Sequence, residues 1–309
     1  MDVQESRDDL SGRFNIALAS FYAALWLLQY FLMPLFLLPK DRGWAWLLLP
    51  LALLNNPYWS LLHEAIHDLF HPQRQLNAFF GRMLSVLFGS PFRILRLSHL
   101  LHHKLNRTLA EATEPYDASK TSWTRASLGY YFQIFGGLYL GELMSSALFF
   151  LPKALLRRVK DRFIDPKSVS GILMQSWTQD AALREIRQDG ALILLCLGLA
   201  FYCYGENWPM LLGVSAARGF LISFLDNVYH YRTPIDDVFY AHNLRLPALA
   251  AKCLLNFNLH GIHHQNPAIP WHRLPASFAQ QREIFHGNYF AAAASQLGGP
   301  IAAEKLVRH

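Results

Sequence analysis

Residues 15–39 read NIALASFYAALWLLQYFLMPLFLLP, a run of 25 residues without a charged side chain. A helix of about 20 apolar residues spans a hydrocarbon core about 30 Å thick. Residues 43–62 form a second uncharged run of 20 residues, and only Lys40, Asp41 and Arg42 separate the two. The sequence therefore predicts a helical hairpin that crosses a membrane twice.

A second hairpin is predicted downstream, from an uncharged run at residues 190–205 and another at 207–225 that is interrupted by Arg218. Because an unpaired arginine in lipid is costly, Arg218 is expected to face a partner, a cavity or the interface. Residues 127–152 form another long apolar segment. A fifth crossing there would separate the histidine clusters described below, so we expect an in-plane or re-entrant helix pair that bends at Gly136 and Gly137.

Composition and charge support a membrane location. The chain of 309 residues is 52 % apolar and 16 % charged, against about 25 % charged in a soluble domain. Its net charge of +6 fits an anionic membrane surface better than a nucleic acid. Residues 152–187 carry 8 Lys/Arg against 4 Asp/Glu, which predicts a cytoplasmic segment. We therefore expect one all-α integral membrane domain over residues 1–309, with four spans, in-plane helices, cytoplasmic termini and a cytoplasmic histidine-rich cap.

Eight histidines recur at metal-ligand spacing, and a ninth, His230, stands apart from them. Offsets of three and four residues place side chains on one face of a helix, and imidazoles are good ligands for iron, copper and zinc. His230 ends the fourth predicted span, and His71 is left outside the ligand set. His242, His272, His286 and His309 lack such spacing and are expected at the surface. The nine candidate ligands, enough for two metal ions, are His63, His67, His99, His102, His103, His230, His260, His263 and His264.

In order, the motifs HEAIH (63–67), HLLHH (99–103) and HGIHH (260–264) resemble the three histidine boxes of the membrane fatty acid desaturase and hydroxylase superfamily. The resemblance covers nearly the whole chain. It implies two non-heme irons held by the eight box histidines together with His230, with Asn227 acting through a bound water. It also implies O2 as co-substrate, a fatty acid, acyl lipid or acyl-carrier substrate, and a bacterial inner-membrane location. No heme-binding His-Pro-Gly-Gly occurs, so a separate electron donor such as a ferredoxin is expected.

The reaction stays open within that superfamily. Desaturation of a fatty acyl chain is the first expectation, and hydroxylation of an acyl chain or a carotenoid is an alternative. Residues 263–275 bear some likeness to bacterial enzymes that convert free fatty acids to terminal alkenes by oxidative decarboxylation. A free carboxylate would need a cation, for which Arg96, Lys104 and Arg107 are candidates.

Two further questions concern acidic residues. Glu64, Asp68 and Asp226 would either orient imidazoles or serve as helix-end charges. HEAIH also matches the zinc-protease motif H-E-x-x-H, in which Glu64 would be the general base. An intramembrane zinc protease using His63, Glu64 and His67 is therefore an alternative of a different class, but it leaves the other histidine clusters without a role.

Overall fold

The computed structural model describes residues 11–306, which are mostly helical. Contacts divide them into two compact units. The first unit comprises residues 11–98 and 139–221, and the second comprises residues 99–138 and 222–306. The longer helices are Gly12–Leu27 continued by Leu28–Leu37, Asn55–Ile66, Arg74–Phe88, Phe92–Leu105, Trp123–Phe132, Leu138–Leu148, Lys153–Phe163, Val169–Trp177, Asp180–Tyr204 and Trp208–Asp226.

Short elements complete the chain. The short α-helices are Leu48–Leu53, Ala248–Cys253, His260–Gln265, Leu274–Gln280 and Tyr289–Ser295, and 3₁₀ turns include Arg42–Leu47 and Asn227–Tyr229. Four strands of two residues form two parallel pairs: Pro115–Tyr116 with Ile301–Ala302, and Leu244–Arg245 with Gly287–Asn288. The prediction of a helical protein is confirmed, with these strand pairs as a small addition.

By length and composition, residues 11–306 contain two candidate membrane spans, Gly12–Leu37 and Asp180–Tyr229. The pair Arg74–Phe88 and Phe92–Leu105, bent by 99°, would be a third. The first candidate matches the predicted span at 15–39. The run Asp180–Tyr229 contains the spans predicted at 190–205 and 207–225, and Gly205 breaks it with φ of 49°. The predicted count of four spans is therefore not confirmed.

The difference lies mainly in residues 43–62. In place of one long helix, the chain forms Arg42–Leu47, Leu48–Leu53 and the beginning of Asn55–Ile66. Pro50 and Pro57 each lie in the first turn of a helix, the position that tolerates the missing N–H. Because proline marks helix starts, this apolar run is divided even though no charge interrupts it.

A bend occurs where the glycine pair predicts one. Helix Trp123–Phe132 continues through residues 133–137 into Leu138–Leu148, and Gly136 has φ of 134° and ψ of −11°. That backbone conformation is rare for residues with a Cβ atom. The bent helix pair predicted for 127–152 is thus present, and its in-plane placement stays a prediction.

The first unit packs its apolar helices around aromatic side chains. Trp26 stacks on Tyr30 with ring centres 4.6 Å apart, and the Tyr204 hydroxyl donates to the Gln29 carbonyl at 2.7 Å. The Tyr204 hydrogen bond joins Gly12–Leu37 to Asp180–Tyr204. A Cβ atom on Gly190 would lie 2.7 Å from the Ser146 carbonyl oxygen. Helix Asp180–Tyr204 therefore approaches helix Leu138–Leu148 at this point more closely than a residue with a side chain would allow.

The second unit is held by a buried ion pair. Arg107 and Glu114 are both almost fully buried, and two guanidinium–carboxylate hydrogen bonds of 2.7 and 3.2 Å join them. Arg107 also donates to the carbonyls of Thr233 and Pro234, and the Arg232 backbone N–H donates to Glu114. One charge pair therefore fixes the loop after Phe92–Leu105 against the loop that follows His230.

Candidate metal centre

Four histidines of the second unit converge. One ring nitrogen from each lies within 4.8 Å of those of the others, and the members are His102, His230, His260 and His264. The Nε2 atoms of His260 and His264 are 3.1 Å apart. His102 comes from Phe92–Leu105, His230 follows the turn Asn227–Tyr229, and the other two come from His260–Gln265. We call this the four-histidine group.

A second convergence in the same unit involves His99, His103 and His263, which we call the three-histidine group. Their ring nitrogens also lie within 4.8 Å of one another. The Nε2 atom of His103 is 3.1 Å from that of His99 and 3.0 Å from that of His263. The rings of His103 and His264 stack with centres 4.3 Å apart, so the two groups are direct neighbours.

The donor sets fit metal ions. A nitrogen ligand lies about 2.0–2.1 Å from a bound transition metal, so two nitrogens roughly at right angles around one ion are about 3 Å apart. The observed separations match that value. Nδ1 of His230 is buried without a hydrogen-bond partner in residues 11–306. Burial, aided by the neighbouring His102 and His264, lowers the pKa of His230 well below its usual value and favours the neutral imidazole that binds metals.

Glu111 is a site residue that the sequence did not predict. Its Oε1 lies 2.6 Å from Nδ1 of His102, and both side chains are only 20 % exposed. Burial alone would lower the pKa of His102, but the charge and hydrogen bond of Glu111 outweigh it and raise that pKa. A carboxylate on Nδ1–H leaves Nε2 with its lone pair and fixes the ring orientation. Asp226 acts on His102 electrostatically in the same direction.

The third box depends on Asn243 and Gly261. Asn243 Oδ1 accepts from the backbone N–H of Ile262, at the first turn of His260–Gln265. A Cβ on Gly261 would lie 2.6 Å from the Ala241 carbonyl oxygen, so this position needs glycine for close approach. Asn106 adds an amide 3.2 Å from Nδ1 of His264. No local pattern identified either asparagine, because both partners are distant in sequence.

The first box lies in the first unit. His63 lies in the last turn of helix Asn55–Ile66, and His67 follows directly after it. Their ring centres are 4.5 Å apart. Asn77, fully buried, donates to the Ala65 carbonyl and to Asp68 Oδ1 and so fixes the turn after this box. Asp68 also forms two hydrogen bonds with Arg96, at 2.6 and 3.0 Å. Asp68 thus anchors the turn, and Glu64 is buried in the same helix.

Other predicted residues have different surroundings. Asn227 Nδ2 donates to Gln296 Oε1 at 2.7 Å, and His71 Nδ1 accepts from the Gln73 backbone N–H. His71 belongs to neither histidine group. The surface prediction was wrong for His242, which is half-buried with its ring 5.3 Å from that of His286. His309 lies outside the described residues.

Two of the three cations proposed for a free carboxylate already pair with acids. Arg96 binds Asp68, and Arg107 binds Glu114. Lys104 is exposed. Arg96 and Arg107 therefore stabilise the fold through these ion pairs.

The described residues thus combine helices long and apolar enough to cross a membrane with histidine groups that could hold metal ions. The fatty acid desaturase family model matches residues 42–292, and the chain belongs to that family. No curated protein matches the sequence. The resemblance drawn from the three boxes is thereby confirmed.

Proposed function

We propose that the protein is a membrane-bound di-iron oxidoreductase that uses O2 to desaturate a fatty acyl chain. The convergence of seven histidines into two neighbouring groups carries the proposal, and membership of the fatty acid desaturase family supports it. A zinc protease would use one histidine pair and one glutamate, which gives these seven residues no role.

The four-histidine group would hold one iron. The three-histidine group would hold the second, and we propose that His63 and His67 of the first box complete its ligand set. Their presentation as a pair at a helix end supports this. Asn227 is proposed to act on the centre through a bound water, held in place by its hydrogen bond to Gln296.

Bound iron would supply the redox couple for reducing O2, which no amino-acid side chain provides. Desaturation then balances as one O2, two external electrons, two protons and two substrate hydrogens giving two waters and a double bond. The chain's own residues orient the histidine ligands. Glu111 holds the Nδ1 proton of His102, and Asn243 holds the turn that presents the third box.

Neutral imidazoles leave the metal charge uncompensated, and Glu111 introduces one negative charge beside it. Burial of His230, His260, His263 and His264 keeps bulk water from the ligands. A site shielded from bulk water suits the oxidation of an unactivated C–H bond.

Oxidative decarboxylation of free fatty acids to terminal alkenes, and hydroxylation, remain alternatives within the same chemistry. We further propose that the centre faces the cytoplasm of a bacterial inner membrane. A separate donor such as a ferredoxin would supply the electrons. The basic segment at residues 152–187 supports both of these proposals, since it fits the positive-inside rule and could attract an acidic donor.

Expression in a host that lacks such an enzyme, followed by lipid and headspace analysis, tests the reaction. New double bonds in acyl chains are expected, and His102→Ala should abolish them. Terminal alkenes one carbon shorter than the host fatty acids would show that the reaction is decarboxylation and not desaturation. Unchanged lipids and headspace, with a properly inserted and iron-loaded protein and a supplied donor, would contradict the proposal.

A further inference from the structure

One side of helix Lys153–Phe163 is attached to the first unit. Leu156 is buried in an apolar cluster that includes Leu183. Lys153, three residues before Leu156, forms an ion pair with Asp180. These two contacts fix which side of the helix faces the protein and which side faces outward.

The outward side carries an apolar stripe, formed by Leu155, Val159 and Phe163. These side chains follow one another at intervals of four residues, which places them on one face of the helix. All three are exposed, and Phe163 is 78 % exposed. An exposed apolar surface with a polar rim is typical of a site that meets a membrane or another protein.

Two arginines border the apolar stripe. Arg158 follows Leu155 by three residues. Arg162 follows Val159 by the same interval, so each arginine is a neighbour of the stripe on the helix surface. Both arginines are exposed, and neither forms an ion pair with a carboxylate within residues 11–306. A guanidinium donates two parallel hydrogen bonds to a phosphate, and its apolar stem can lie along a hydrocarbon surface.

The combination fits a phospholipid surface better than a soluble partner. Leu148, Phe150 and Leu151 precede the helix and are exposed as well, so the exposed apolar residues continue along the chain into the stripe. An acidic protein would pair with the arginines but would leave the apolar side chains without a hydrocarbon partner. Anionic phospholipids supply both, because a basic amphipathic helix buries its apolar face at the boundary between headgroups and acyl chains.

We propose that helix Lys153–Phe163 lies in the plane of the membrane surface and binds anionic phospholipids. Its apolar stripe inserts between the acyl chains, and Arg158 and Arg162 bind the headgroup phosphates. The proposal goes beyond the oxidation of an acyl chain, because it concerns lipids of the surrounding bilayer and residues outside the histidine groups.

Equilibrium binding of fluorescent phosphatidylglycerol and phosphatidylcholine with identical acyl chains to the purified full chain in detergent tests the charge. Phosphatidylglycerol should bind more tightly at low salt. Exchange of both Arg158→Gln and Arg162→Gln should lower its affinity about fivefold per arginine and leave phosphatidylcholine binding unchanged.

Arg157→Gln is the matched control on the same helix. Arg157 is exposed, lies two residues from Leu155 and from Val159 and so off their face, and acts electrostatically on Asp180. This variant should keep the preference for phosphatidylglycerol. Equal affinity for the two lipids, a preference that survives the double exchange, or an equal loss in the control would overturn the proposal.

Photochemical labelling tests the insertion of the stripe. The full chain carrying Phe163→p-benzoylphenylalanine is reconstituted in nanodiscs of both phospholipids, illuminated and analysed by mass spectrometry. Acyl chains should be attached several-fold more often than in Asp161→p-benzoylphenylalanine, because Asp161 is exposed on nearly the opposite side of the helix. Equal labelling at the two positions would contradict insertion. Labelling of an added ferredoxin in place of lipid would assign the surface to an electron donor and likewise overturn the proposal.

Failure of this proposal can be told apart from failure of the proposed function. Iron content and oxidised lipid products report on the histidine centre, and neither is used to measure headgroup preference or insertion. A protein that binds phosphatidylglycerol through Arg158 and Arg162 but oxidises no lipid would retain the surface site and lose the oxidase.

Discussion

Replacing Glu111 with Gln should weaken iron binding without unfolding the second unit. The exchange keeps the shape of the side chain but removes the charge that lies 2.6 Å from His102 Nδ1. Loss of such a partner costs about 10- to 100-fold in metal affinity, which corresponds to about 1.4–2.8 kcal/mol. Because both side chains are 20 % exposed and the amide oxygen still accepts a hydrogen bond, we expect the lower end, about tenfold.

The assay is competition for iron between the purified protein and a chelator of known affinity, read by elemental analysis after separation. Glu304→Gln is the control, because Glu304 is an exposed glutamate of the same unit. Iron should be lost from the Glu111→Gln variant at chelator concentrations that leave the control loaded. Equal retention in Glu111→Gln and wild type would refute a positioning role for this carboxylate.

Three further predictions concern other parts of the chain. Gly261→Ala would place a methyl group 2.6 Å from the Ala241 carbonyl oxygen, so the iron content should fall; a fully loaded variant would contradict that packing. His71→Ala should keep the wild-type iron content, because His71 belongs to neither histidine group, and a loss of one ion would make it a ligand. Burial and then the charge of His286 lower the pKa of His242 to about 4. Its contribution to stability is complete above its usual pKa of about 6.5 and is lost as the pH falls toward 4, by roughly 3 kcal/mol at most. His242→Phe should therefore flatten the decrease in melting temperature on acidification, and an unchanged slope would contradict the assignment.

The histidine boxes were predictable because their ligand spacing is local. Offsets of three and four on Phe92–Leu105 and His260–Gln265 place the imidazoles on one face without any knowledge of the tertiary fold. Glu111 and Asn243 were not predictable in the same way. Glu111 lies nine residues beyond His102, after the helix has ended, and Asn243 reaches the third box from a separate loop.

Hydropathy alone predicted neither the boundaries nor the number of the candidate spans. Helix Asp180–Tyr204 begins ten residues before the predicted span, because its charged first turns are helical but not apolar. Hydropathy also treats residues 43–62 as continuous, although Pro50 and Pro57 divide the run into separate helices. Arg218 was predicted to need a partner or a cavity, and the structure gives it both, in the Tyr30 hydroxyl and the cavity lined by Gln29.

The metal content of the purified protein tests the central claim most directly. We expect two irons per chain by elemental analysis, falling to about one in His264→Ala, which removes a ligand of the four-histidine group and leaves the three-histidine group intact. A single zinc per chain that survives His264→Ala and is lost in His63→Ala would contradict the di-iron account and favour a metalloprotease.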